Sequence, residues 1–414
     1  MRRTGALYLT GVLVSGFGST AMWLASGIWV KSLTGSDSLA ALTVFALWAP
    51  ALLGPLLGTV ADRVPRRPLM VWSNTAMAAL LPMLLWVDSA DRVWLLFAVL
   101  VVYGTQGVVH EAAEAGLAVS ALDKRWLADF NGLRMTADEG MKLVAPLVAA
   151  GLFARYGGGP VALLDAATFA VAAGVFALMR VREEKPARPA RKRRGPGRSA
   201  HWLRDTAEGL RIVRASPVLR PLVLAGAFTM LLAGLNGAAV YAVVDRGLGH
   251  DPAYAGVLYA VQGAGSVVAG LAAGPLLRRV PARLLSAVGL ALFAVAAAAR
   301  ALPHDGVALA ASAVIGLGLP WVLVAAMTAV QREAPPDAVG RTAATAHTLV
   351  FVPNAAALAV GAGLIAVVDI RILLPALGVL GLAGAVTLAA KGTTGSGARS
   401  PAPAGPARGD RPAP

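Results

Sequence analysis

Stretches of about twenty residues with few or no charges recur along the chain, long enough as helices to cross a bilayer. They lie at 5–30, 39–60, 68–87, 92–120, 135–155 and 158–180, and again at 217–244, 252–277, 282–301, 306–331, 338–365 and 369–391. No other feature constrains the fold as strongly. In lipid every backbone polar group must be satisfied inside the protein, which leaves helices or closed barrels. Composition agrees: 57% of the 414 residues are hydrophobic and 14% charged, too apolar for a core of this size under a polar coat. The first run exceeds the roughly 7–15 residues of a signal-peptide core, carries Trp23 and Trp29, and leads straight into the next. It is therefore read as a transmembrane helix. The expected fold class is all-α integral membrane, with twelve transmembrane helices in two groups of six.

With both chain ends on one side, 31 of the 37 Lys and Arg fall on that side; Lys31, Arg92, Arg155, Arg246, Arg300 and Arg371 fall on the other. The positive-inside rule then places both termini and the linker in the cytoplasm. The net charge of +15 sits in short loops between spans, a membrane-surface pattern rather than a nucleic-acid one. There is no Cys, which excludes disulfides and thiolate metal sites. Arg far outnumbers Lys, and Ala and Gly are abundant, as in a GC-rich bacterial genome; a bacterial cell membrane is the expected location.

Four regions are expected. Residues 1–180 form a first six-helix bundle and 217–392 a second. Between them, 181–216 form a basic cytoplasmic linker whose "HWLRDTAEGLRIVRASP" sets Leu203, Ala207, Leu210 and Val213 on one face of an interfacial helix. Residues 393–414 are expected to be a disordered tail.

The turn "GTVADRVPRRPLM" (58–70) between the second and third spans is echoed by "GPLLRRVPARLLS" (274–286) between the eighth and ninth. The two agree at Gly58/Gly274, Arg63/Arg279, Val64/Val280, Pro65/Pro281, Arg67/Arg283 and Leu69/Leu285, which points to duplication and hence to pseudo-symmetric bundles. The order Gly58, Asp62, Arg63, Arg66, Arg67 resembles the signature turn of the major facilitator superfamily, whose two-bundle plan this chain matches up to about residue 391. The closest likeness within it is to the drug:proton antiporter group of macrolide-efflux and siderophore-export proteins, through Thr34-Gly35-Ser36, "LADFNGL" (127–133), "LLDAATFA" (163–170) and "SPVLRPL" (216–222). The resemblance implies a cytoplasmic gate in which Asp62 faces the start of the eleventh span near Arg341, while the arginines pair with Glu114 or Asp123. The alternative is an orientation signal, with Arg66 and Arg67 acting as plain positive-inside charges.

Ionisable groups in lipid cost at least about 2.5–3.5 kcal/mol on insertion scales, so each is a functional candidate. In the fourth span Glu111 lies about 27 Å below Val93 at 1.5 Å per residue, and Glu114 about a turn deeper. Two carboxylates sharing a helix face in low dielectric can hold a proton, as a carrier must; the alternative is an interfacial pair solvated or matched by Arg134 or Lys142. Asp165 in the sixth span is a third proton-coupling candidate, or else a helix-packing group. The resemblance also marks two departures: Tyr103 stands where the family commonly has the Arg of R-x-x-Q-G ahead of Gln106-Gly107, and "VAPLVAAGL" (144–152) keeps only part of a Gly-Pro-rich antiporter motif.

A cavity between the halves, as the resemblance implies, would draw on Phe17, Met22, Trp23, Tyr103, Gln106, Asn236, Tyr241, Gln262 and Trp321. Few polar groups amid apolar walls suit an amphipathic guest better than a sugar. The expected function is secondary active export of hydrophobic or amphipathic small molecules by alternating access and proton antiport. The alternatives are a dedicated exporter of an endogenous natural product or siderophore, and a non-transporting receptor or scaffold. No enzyme activity, metal or cofactor is expected; the proton gradient supplies energy. The expected partners are the substrate and the lipid bilayer, not nucleic acid, and the chain is expected to be monomeric.

Overall fold

The computed structural model describes residues 2–53, 64–121, 127–179, 198–335 and 338–393. Its first half runs α1 (Arg2–Thr34), α2 (Asp37–Trp48, continued as a 3-10 turn over Ala49–Leu53), α3 (Arg66–Leu80), α4 (Val93–Ala121), α5 (Leu127–Tyr156) and α6 (Gly158–Leu178). A linker helix, α7 (Arg198–Ala215), precedes α8 (Leu219–Ala238), α9 (Ala255–Arg279), α10 (Ala282–Ala299), α11 (Asp305–Glu333), α12 (Val339–Val367) and α13 (Ile370–Thr393). Among the described residues ten helices are long and apolar enough to cross a membrane, and two shorter apolar pieces, Asp37–Ala51 and Leu143–Tyr156, complete the twelve. Large apolar side chains such as Trp72, Leu271 and Val367 face outward, where only lipid can cover them.

Local chemistry explains several departures from simple spans. α3 tightens into a 3-10 turn over Leu81–Trp86, where Pro82 has no N–H to give to the α-ladder. α5 begins at Leu127 rather than 135, since its charged first half remains helical although it is too polar to be seen as a span. α8 ends in a π-turn over Val243–Gly247, closed by Leu248 N–H on Val243 O at 2.9 Å.

The twelve helices form two bundles with the same internal pairings. In the first, α1 packs on α5, α2 on α4 and α3 on α6; in the second, α8 packs on α12, α9 on α11 and α10 on α13. Close approach recurs at matching places. A Cβ on Gly104 of α4 would overlap the Leu47 carbonyl of α2, and one on Gly316 of α11 the Gln262 carbonyl of α9.

Each bundle begins and ends on the face that carries the linker helix, called here the linker face; the opposite one is the far face. Between bundles, α2 packs on α12 and α5 on α9, pairs that are themselves symmetry mates. Two apolar clusters are built from both bundles. One joins Ala41 and Val44 to Ala238, Ala242, Leu358 and Ile365, and the other joins Leu24, Ile28 and Ala149 to Val240, Tyr241 and Leu258. All these residues lie in the far half of the molecule. Among the described residues the linker-face clusters belong to one bundle each: Tyr8, Met70 and Phe176 to the first, Val213, Leu222 and Val350 to the second. The described contacts between bundles thus lie at the far face.

The linker helix docks on the second bundle. A Cβ on Gly209 would overlap Thr345 of α12, Val213 is buried, and Arg341 Nη2 donates to Glu208 Oε1 at 3.1 Å. The docked stripe is therefore Gly209 and Val213, while Ala207, expected on the apolar face, is exposed.

Candidate functional site: an ionic clasp and a buried carboxylate

Four charges close the seam at the far face. The α1–α2 connection is Thr34-Gly35-Ser36, in which Gly35 takes a left-handed backbone (φ +69°) that a side chain would resist. Leu39 N–H donates to Ser36 Oγ at 3.2 Å, capping α2 and placing Asp37 in its first turn, where a carboxylate is favoured. Lys31, at the end of α1, donates to the Gly35 carbonyl at 2.9 Å and pairs with Asp37 at 2.9 Å. The second bundle enters through the π-turn. Lys31 Nζ meets Asp245 Oδ2 at 2.5 Å, and Arg246 Nε meets Asp37 Oδ2 at 3.1 Å. Arg246 also donates to the Ile365 carbonyl at the end of α12. Lys31 and Asp37 are 6% and 9% exposed, whereas Asp245 and Arg246 are near half, so the first-bundle pair carries the larger desolvation cost. Taking one partner from a buried pair costs about 3–5 kcal/mol, against about 0–1 kcal/mol for an exposed one. The clasp falls between these limits. Beneath it Tyr241 donates to the Leu24 carbonyl at 3.3 Å, again across the seam, and its hydroxyl fills the space a Cβ on Gly27 would need.

A second polar cluster lies wholly inside the first bundle. Asp165 of α6 is fully buried, with Tyr103 Oη at 2.8 Å from Oδ2 and Thr168 Oγ1 at 3.2 Å from Oδ1. The same phenol lies 2.8 Å from Ser19 Oγ of α1. A Cβ on Gly18 would overlap both Thr168 and Asp165, so α1 is glycine where it passes over the carboxylate. Among the described residues no cation lies within ion-pair distance of Asp165; its partners are hydroxyls. The side chain standing where the resemblance expects an arginine is thus the one that holds the acid.

The other expected residues are placed as follows. Gly58, Asp62 and Arg63 lie outside the described residues, as do the side chains of Glu111 and Glu114 on α4. Nearby on α4, His110 Nδ1 lies 3.3 Å from Asn74 Nδ2. Arg67 donates through Nε to the Phe176 carbonyl at 3.2 Å and through Nη2 to the Ala177 carbonyl, at the end of α6. Its counterpart Arg283 donates to the Leu388 carbonyl in α13 at 2.6 Å. Both arginines of the repeated turn therefore bind the last helix of their own bundle, where exposed carbonyls attract a cation. Arg66 opens α3, and Arg341 meets the linker helix as described.

Of the cavity candidates, Phe17, Trp23 and Tyr241 come together at the shared far-half cluster. Met22 and Tyr103 pack inside the first bundle, with Met77 and Phe169; one residue of helix turns Met22 away from the seam that Trp23 faces. Gln106 and Gln262 are half-buried, and Trp321 donates to the Ala269 carbonyl at 3.1 Å within the second bundle. Asn236 is buried, and its Oδ1 has no donor among the described residues. Sequence reasoning did not assign the clasp, Ser19 or Thr168 to a site. The available signal was the concentration of opposite charges at the far ends of the first, second and seventh spans.

No curated protein matches this chain. Among solved structures, it is similar to a peptide transporter POT in complex with sulfate (TM-score 0.72, 14% identity, 95% of this chain and 94% of that one). It is also similar to a POT family transporter in complex with a thioalcohol-conjugated peptide (TM-score 0.73, 9% identity, 94% of this chain and 96% of that one). A third is a bacterial homologue of the iron transporter ferroportin in an inward-facing state (TM-score 0.67, 15% identity, 94% of this chain and 99% of that one). At such identities these likenesses establish the fold. The family profile of the Major Facilitator Superfamily matches residues 8–357, most of the chain. With twelve helices in two matched bundles meeting along one seam, this multi-pass membrane transporter belongs to the major facilitator superfamily.

Proposed function

We propose that the protein exports hydrophobic or amphipathic small molecules by alternating access, driven by proton antiport, from a bacterial cell membrane with termini and linker in the cytoplasm. The observation that carries this reading is the uneven seam. Shared apolar clusters and a four-charge clasp join the bundles at the far face, whereas among the described residues each bundle keeps its own core at the linker face. That arrangement supports a carrier loaded from the linker side, and the excess of Lys and Arg there supports reading that side as the cytoplasm. The apolar, aromatic seam around Phe17, Trp23 and Tyr241 suits a lipophilic body. For the proton we favour Asp165, whose partners are hydroxyls that can donate or accept as it gains and loses a proton. Glu111 and Glu114 are the alternatives. Asp62 is proposed to latch the linker face in the opposite pose.

The test is dye accumulation in everted vesicles with and without an acid-interior pH step. The expected result is uphill accumulation that collapses with the gradient and is lost in Asp62→Asn. In Asp165→Asn uphill transport should fall at least tenfold while dye exchange at equal pH persists. Transport insensitive to the gradient ends the antiport reading; no transport of any lipophilic probe ends the exporter reading.

A further inference from the structure

Arg300 follows α10 at the far face, a position from which a long cationic side chain ordinarily extends to the membrane–water interface. It does the reverse. Arg300 is 2% exposed, and its Nη2 donates to Ser312 Oγ at 2.7 Å. Ser312 lies seven residues into α11, about 10 Å along the helix, so the guanidinium is directed down into the bundle. Its Nε is buried and has no acceptor. The carboxylate closest in sequence, Asp305, is engaged at the surface by His250 at 2.9 Å. Among the described residues no acid lies within ion-pair distance of Arg300. The carbonyl end of α10 offers a partial charge of only about half a unit.

A buried guanidinium without a counter-ion costs several kcal/mol, and packing alone would be served better by an apolar side chain. An aromatic ring within electrostatic reach of the charge bears on why it is kept. Tyr259 of α9 lies within electrostatic range of Arg300. The same ring meets Trp23 of α1 edge-on across the seam, with centroids 4.8 Å apart and planes at 67°. The cation therefore shares the far end of the second bundle with the ring that reaches the seam, at the end closed by the clasp.

Resting on the exporter reading above, we infer that Arg300 anchors the acidic group of the cargo, which is an amphipathic organic acid. The carboxylate takes the unpaired Nε edge of the guanidinium, with the Ser312 hydroxyl beside it, and the apolar body lies against Trp23 and Tyr259. Arginine suits this role because its planar fork matches two carboxylate oxygens and keeps its charge when dehydrated. Binding supplies the counter-charge that the fold lacks.

The test begins with the unaltered protein in neutral-lipid nanodiscs, titrated with pyrenebutyric acid and with its methyl ester and corrected against empty nanodiscs. The acid is expected to bind at least tenfold more tightly than the ester. Arg300→Gln should bring the two to equal affinity, Arg300→Lys should keep part of the preference, and Ser312→Ala should weaken it. Equal binding of acid and ester to the unaltered chain overturns the inference, whether or not the variants fold. A preference that survives in folded Arg300→Gln also overturns it. Equal binding together with dye export in vesicles leaves the exporter reading intact; an Arg300-dependent acid preference without transport of any probe removes that reading and keeps the anion site.

Discussion

The two faces of this transporter are held together by different physics. At the far face, residues more than two hundred positions apart meet: Lys31 with Asp245, Asp37 with Arg246, Tyr241 with the Leu24 carbonyl. At the linker face the described polar contacts stay within a half: Arg67 on the end of α6, Arg283 on α13, Glu208 on Arg341. Contacts of the first kind distinguish one arrangement of the bundles from another and so bias the equilibrium between poses. Contacts of the second kind are carried unchanged through rigid-body motion and act on stability alone. The described contacts of Arg67 and Arg283, two arginines of the repeated turn, fall in the second group.

That contrast can be broken in order of expected size. The largest effect is expected for Gly27→Leu, whose side chain has no room beside the buried Tyr241 ring; it should wedge the far face open and abolish uphill transport. Since the chain has no Cys, spin labels at Ser32→Cys and Leu302→Cys can follow this face directly, and an unchanged distance distribution in Gly27→Leu would refute the seam geometry. Next, Asp37→Asn removes the carboxylate that both clasp cations share, leaving Lys31 only Asp245, and should shift the balance of poses at least tenfold, about 1.4 kcal/mol, toward the far-open form. The charge-swapped pair Asp37→Arg with Arg246→Asp should recover part of that shift if the pairing itself matters. Arg67→Gln and Arg283→Gln should each lower stability by about 1.5–3 kcal/mol, the range for a charged hydrogen bond, without moving the labels. A change in label distance there would turn a clamp into a gate. The smallest effect belongs to Glu208→Gln: its ion pair with Arg341 is partly exposed, so a loss of about 0.2–1 kcal/mol in thermal unfolding is expected.

Much of this architecture is legible in the sequence because the bilayer imposes it. A run long enough to span has few structural options, and the described helix ends fall within a few residues of the run boundaries except at α5, whose polar first half is helical from Leu127; the end of the second run at 60 lies outside the described residues. The duplication is legible too, residue by residue, in the two charged turns. The tertiary partners are not. Counting Lys31 and Arg300 as outer charges treats them as solvated loop residues, yet both are buried, one under a clasp and one beneath a helix end. A charge tally registers sign and side; it does not register that Asp37 and Asp245 converge on one lysine from opposite bundles. Tyr103 and Asp165 were each conspicuous for separate reasons, a missing arginine and an acid in lipid. Only the fold, which brings the Tyr103 side chain of α4 to Asp165 of α6 where a glycine of α1 passes over it, makes them one site.

The clasp sums to zero charge, and its second-bundle members already touch the solution on their own side of the membrane. Dissolved ions can weaken these pairs only from that compartment, where at physiological ionic strength screening acts over about 8 Å. The balance between poses should therefore respond to electrolyte in a sided way: brine on the far side of the membrane loosens the closed rim, and the same concentration on the linker side leaves it alone.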